Sequence, residues 1–254
     1  MKIYILDGIG THNRPDGTVM KQVADAIAAK VDISEVKWIN WPASMMGQGG
    51  KLSWNDASKI GVTMLTDEVS MHNEDFILLA FSGGNKPARD WLYANPDLRK
   101  RCKAVGLLSD PFRPRDRWQS GLPDPGGWGI AGEDYGPIPD RTYWSSMPGD
   151  TISSARPDSL LRTLADLSDG PPDMIFKDAT ETLKMNKFQL GYMLKVPFLE
   201  WFGSLGRRIN EAIIDIQRYM GGWHTTKYTT PFDGGESLST RMGNSIAWKI
   251  NKKV

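Results

Sequence analysis

The chain of 254 residues carries 31 basic and 30 acidic side chains, a net charge of +1 that gives nucleic acid or anionic lipid no electrostatic footprint. A hydrophobic content of 40% with ten tryptophans supplies a buried core and excludes a disordered chain. The single cysteine, Cys102, excludes a disulfide framework and a cysteine-based zinc site. His12, His72 and His224 lack the i, i+4 spacing of a helical metal site, so no metal and no cofactor are expected.

The chain begins directly in "KIYILDG", which reads as a strand from Lys2 to Gly8, with no basic segment leading into an apolar one. Synthesis in a cytoplasm without a Sec signal is the expectation. No apolar run approaches the roughly 20 residues that span a bilayer, so an integral membrane protein is not expected. Val19, Val23, Ile27 and Val31 recur every four residues and predict a helix with one apolar face. "EVKWINW" (Glu35 to Trp41) predicts a second strand stopped by Pro42, and Trp54 to Val69 a second helix. "FILLAF" (Phe76 to Phe81) is a third strand, followed by a helix with Pro87 in its first turn, where a missing N–H costs nothing.

"KAVGLLS" (Lys103 to Ser109) and "RTYWSS" (Arg141 to Ser146) complete the strands, separated by a long loop rich in proline, glycine and tryptophan. Strands alternating with helices predict a parallel sheet with crossover helices. From Pro157 to Met220 the pattern is helical throughout, including "FQLGYMLKVPFLEWF" and then Leu205, Ile209, Ala212, Ile213, Ile216 and Met220 at helical spacing. The organisation is therefore a core in residues 1–156, a helical insertion in 157–220 and a return to the core in 221–254.

"AFSGG" places Ser82 between a buried strand and a helix, with small residues two before (Ala80) and two after (Gly84). A strand entering a helix through so tight a turn holds the intervening side chain clear of the sheet, the mechanics of the G-x-S-x-G nucleophile elbow. Alanine stands where glycine is commoner. A capping serine in an ordinary turn is the alternative.

A serine nucleophile needs a histidine to accept its proton and a carboxylate to orient that histidine, in the chain order Ser, acid, His for an α/β-hydrolase. His224 in "GGWHTTKY" has the required order; His12 precedes the serine, and His72 lies in a polar turn expected to be solvated. Asp150, in "MPGDTI" after the second strand beyond the nucleophile, is the candidate acid, and Asp110 is the runner-up. Asp158 and Asp166 are placed on the first inserted helix. Gly83 and the "DGIG" loop, through Ile9 or Gly10, are the candidate oxyanion donors.

Taken together, "DGIGTH", "AFSGGN", "MPGDTISSARPDSLLRTLADL" and "WHTTKY" resemble the lysin B enzymes of mycobacteriophages, cutinase-like α/β-hydrolases. Cutinases carry C-x-x-G-D-x-[VI]-C around their acid; here Ser146 and Ser153 replace both cysteines. Ala80 and Asp7 depart from a glycine and a histidine common in the family. The resemblance implies an esterase that cuts the bond between mycolic acids and arabinogalactan at the mycobacterial cell envelope during phage lysis, with Ser82, Asp150 and His224 as nucleophile, orienting acid and base. It implies a lipid ester as partner and no nucleic acid; a monomer is expected. Phe198 and Trp201 could line an apolar trough for acyl chains, or pack in the core. A general cutinase or lipase, and a silent hydrolase-fold lipid binder or virion protein, stay open.

Overall fold

The computed structural model describes residues 1–12, 17–45, 47–136, 142–162 and 205–252. Strands β1 (Lys2–Leu6), β2 (Glu35–Trp38), β3 (Phe76–Phe81), β4 (Cys102–Leu108) and β5 (Thr142–Ser145) form one sheet in the order β2-β1-β3-β4-β5. Every pairing is parallel. Helices α1 (Thr18–Ala28), α2 (Trp54–Ser70) and α3 (Asn85–Ala94) connect the first four strands. The short α4 (Thr151–Ser154), then α5 (Leu205–Arg218), α6 (Thr226–Thr229) and α7 (Leu238–Asn251) follow β5.

The central strands are apolar on both faces because both faces are covered. Ile3, Ile5, Ile77, Leu79 and Ala104 pack with residues of α1 and α7, while Tyr4, Leu6, Leu78, Ala80, Val105 and Leu107 pack with residues of α2 and α3. The apolar face predicted for α1 is the one buried, through Val19, Val23 and Ile27. From β1 the chain turns towards β2, and from β3 it turns towards β4. The direction of winding thus reverses between β1 and β3, and above their carboxyl ends the sheet opens a crevice.

Three predicted strands are shorter than expected, the first of them ending at Leu6 rather than Gly8. The second ends at Trp38, because the chain turns inward and Trp41 Nε1 donates to the Asp7 carbonyl at 3.0 Å. The last covers Thr142–Ser145, and its connection to β4 holds no helix among the described residues. That loop is gathered around the fully buried Arg113. Its guanidinium donates to the carbonyls of Pro114, Arg117, Gly126, Gly127 and Ser153 at 2.6–3.0 Å.

Within the predicted helical insertion only 157–162 and 205–220 are described, and Asp166, Phe198 and Trp201 lie outside the described residues. Helix α5 forms as its periodicity predicts; of its apolar positions Ala212 packs on Leu160 and Leu161, and the rest of its docking is polar. Asp215 accepts from Arg156 at 2.8 Å, Arg208 Nε donates to the Asp158 carbonyl at 2.8 Å, and Arg207 pairs with Asp158 at 2.6 Å. Ile209, Ile213 and Ile216 are 45%, 48% and 45% exposed.

Candidate active site

The turn after β3 is a 3₁₀ turn, Ser82–Gly84, that runs directly into α3. Ser82 sits at φ +52°, a left-handed conformation that costs a non-glycine residue about 1–2 kcal/mol. Close packing holds it there. A Cβ on Gly84 would fall 2.1 Å from the Leu6 carbonyl oxygen and 2.5 Å from that of Asp7, so the helix start presses on the end of β1. Two side chains, Asn85 and Trp54, lock the turn from outside. Asn85 Nδ2 donates to the carbonyls of Ser82 at 2.8 Å and Leu108 at 3.0 Å, and Trp54 Nε1 donates to that of Gly83 at 3.0 Å.

His224 follows a π-helical turn, Tyr219–Trp223, at the end of α5. Its ring stacks between Phe81 and Tyr219, with centroids 5.1 and 4.8 Å away. Nε2 lies 2.7 Å from Ser82 Oγ, and Nδ1 lies 3.1 Å from Asp150 Oδ1. The structure thus brings together the three residues the sequence singled out, from positions 142 and 74 residues apart.

Asp150 ends the Pro-Gly-Asp turn and caps α4, its Oδ1 accepting from the Ile152 N–H at 3.1 Å. Oδ2 accepts from Ser109 Oγ at 2.5 Å, Tyr228 OH at 2.7 Å and Ser153 Oγ at 3.3 Å. Complete burial by itself would raise this carboxyl's pKa. The His224 charge and the hydrogen bonds from His224, Ser109 and Tyr228 outweigh burial and hold it below its ordinary 3.8. Burial, and then the charge on Asp150, push the Tyr228 phenol well above 10, so it remains a donor. Ser109, Phe81, Tyr219 and Tyr228 were not identified from sequence; only the proximity of Tyr228 to His224 in "WHTTKY" could have pointed to one of them.

Asp110, the runner-up acid, serves the scaffold instead. It is fully buried in an ion pair with Arg89 and accepts from Trp144 Nε1 at 3.1 Å and the Phe112 N–H at 2.9 Å. Ser146 and Ser153, at the positions of the two cysteines in the cutinase pattern, hydrogen-bond hydroxyl to hydroxyl at 2.6 Å.

Of the loop donors, the Gly10 N–H is already engaged, donating to the Ala43 carbonyl at 2.8 Å. Ile9 N lies 3.5 Å from the position a Cβ on Gly83 would take, so the Ile9 backbone is close to Gly83. The Gly83 N–H is in the first turn of a helical segment, where amides have no intrahelical partner. Asp7 accepts from the Gly8 N–H at 2.8 Å and so shapes this loop.

The other histidines stand apart. His12 is exposed and donates from Nδ1 to the Trp41 carbonyl at 2.9 Å. His72 lies 3.6 Å from Glu68 and near Glu35, but each of these carboxylates is already paired with a lysine, Lys37 and Lys2 respectively. Burial pushes the Cys102 thiol up to about 12, which leaves it inert as a competing nucleophile. Among the described residues no helix is long and apolar enough to cross a membrane.

A parallel sheet with a strained serine at its crevice, joined through an imidazole to a buried carboxylate, defines an α/β-hydrolase with a Ser–His–Asp arrangement. The structure is similar over nearly its whole length to lysin B from Mycobacteriophage D29, with 15% identity, 99% of this chain and 98% of that one covered, and a TM-score of 0.52. Two further solved structures are similar over part of the chain. A cutinase-like protein from Cryptococcus sp. has 16% identity, 72% of this chain and 94% of that one covered, and a TM-score of 0.42. The catalytic core domain of acetyl xylan esterase from Trichoderma reesei has 15% identity, 72% and 97% covered, and a TM-score of 0.45. At these identities the likeness concerns the fold. No protein-family profile and no curated protein matches the chain by sequence.

Proposed function

We propose that the protein is a serine esterase that hydrolyses the ester joining mycolic acids to arabinogalactan, releasing the outer lipid layer of a mycobacterial host during phage lysis. The observation that carries the chemistry is the 2.7 Å contact between Ser82 Oγ and His224 Nε2, with Asp150 on the far side of the ring. Ser82 attacks the ester carbonyl while His224 takes its proton. Asp150 keeps Nδ1 protonated and stabilises the imidazolium. The tetrahedral oxyanion is held by the N–H groups of Gly83 and Ile9. Collapse expels the sugar hydroxyl, which recovers the proton from His224. Water then repeats the sequence on the acyl-enzyme and frees the acid.

The choice of substrate is supported by the resemblance of four motifs to the lysin B enzymes and by the fold likeness over 99% of the chain. In this reading the protein is made in the host cytoplasm and acts at the cell envelope. A fluorophosphonate probe tests the chemistry: we expect stoichiometric labelling of Ser82 and none in Ser82→Ala. Purified mycolyl-arabinogalactan tests the substrate. Release of mycolic acid in preference to triglyceride hydrolysis supports the proposal, and the reverse preference assigns a general lipase.

A further inference from the structure

The acceptor closest to His224 Nδ1 is not the carboxylate. Ser109 Oγ lies 3.0 Å from Nδ1, against 3.1 and 3.3 Å for the two oxygens of Asp150. The same hydroxyl donates to Asp150 Oδ2, so its single proton is committed there and its lone pairs face the ring. We propose that Ser109 is a positioning residue that accepts the Nδ1–H of His224 directly, sharing with Asp150 the task of fixing the tautomer and ring angle.

The scaffold around Ser109 is built for that placement. The residue is fully buried at the end of β4 and holds φ +45°, a conformation that a serine does not adopt without constraint. Its N–H donates to the Ser145 carbonyl at 2.9 Å. The carbonyl preceding it, that of Leu108, shares the Asn85 amide with the carbonyl of Ser82, so one side chain spaces the nucleophile from Ser109. Tyr228, by contrast, acts on the carboxylate: its hydroxyl donates to Asp150 Oδ2 and accepts from the Met147 N–H at 3.0 Å. Ser109 thus has two possible routes of influence, through the carboxylate or straight to the ring, and the two make different predictions.

The inference rests on the esterase reading of Ser82, His224 and Asp150, and a double-mutant cycle separates the two routes. Ser109→Gly removes the hydroxyl while relieving the left-handed backbone, so it keeps the fold. With a short-chain p-nitrophenyl ester we expect it to lower kcat about tenfold with little change in KM, the scale of a misaligned proton acceptor. We expect a further loss of at least about tenfold when it is added to Asp150→Ala, where Ser109 is the remaining acceptor. The low-field proton resonance of His224 Nδ1–H should persist in Asp150→Ala and vanish in the double variant. Loss of that resonance in Asp150→Ala alone, or no effect of Ser109→Gly in the Asp150→Ala background, overturns the direct contact. The resonance is read without turnover. Failure of the esterase reading would instead appear as unlabelled wild-type Ser82 with the resonance pattern intact.

Discussion

The two halves of the site are held by different physics. The nucleophile side rests chiefly on backbone against backbone, with Gly84 under the end of β1, Ala80 in a buried strand and Ser82 strained between them, and Asn85 and Trp54 pinning the turn's carbonyls. The acid side is side chain against side chain, with three hydroxyls and an amide converging on Asp150 from Ser109, Ser153, Tyr228 and Ile152. Steric fit of the first kind tolerates almost no added atom. A hydrogen-bond network of the second kind loses its members one at a time.

The sharpest way to break the nucleophile side is chemical. Ser82→Ala should lower kcat by about 10⁶-fold while the thermal midpoint stays within a few degrees of wild type. On the acid side the largest effect belongs to Asp150→Asn, which keeps the volume but offers Nδ1 the wrong partner. It should cost about 10⁴-fold in kcat against a p-nitrophenyl ester. Gly84→Ala tests the steric claim, because its Cβ meets carbonyl oxygens of β1 that cannot rotate away. We expect about 3 kcal/mol of lost stability in urea unfolding, or an insoluble protein. Tyr228→Phe removes one donor and leaves the others. A loss of about 1–2 kcal/mol in the same assay, with activity reduced rather than abolished, would confirm that the acid side fails gradually.

Acid unfolding sharpens the contrast further. The Asp150 carboxyl is held below its ordinary 3.8, so its contribution to stability is fully present above that value. It is lost as pH falls through the lowered pKa of the folded state. The difference in urea midpoint between wild type and Asp150→Asn should therefore shrink as the pH is taken below about 4.

This division also decided what could be read before the structure. The elbow was legible because its demands are local: an apolar run, a serine and small neighbours within five positions. The parallel core was legible because strands covered on both faces are continuous apolar runs. Asp150 and His224 followed from chain order. Ser109, Tyr228, Phe81 and Tyr219 did not, because nothing in a single serine or tyrosine says which distant carboxylate or ring it will meet. Asp110, the runner-up acid by its place at a strand end, is occupied by Arg89, a partner that its sequence position does not reveal. In the "GIG" loop only the partner of Gly10, the Ala43 carbonyl, separates Gly10 from Ile9 as a donor. Helix α5 shows a third limit. Its apolar period predicted the helix, but of those positions Ala212 is the one packed on Leu160 and Leu161, and beside it the docking goes through Arg208 and Asp215, 2% and 4% exposed.

The Ser146–Ser153 pair carries a consequence for where such a site can operate. A covalent bridge across the acid turn would tie its shape to the oxidant supply of the compartment; two alcohols do the same closing with a proton, in any redox environment. Replacing both serines by cysteine should restore a bridge over an eight-residue loop, worth about 2–3 kcal/mol when oxidised. That gain would disappear under dithiothreitol, whereas the natural turn is indifferent to it.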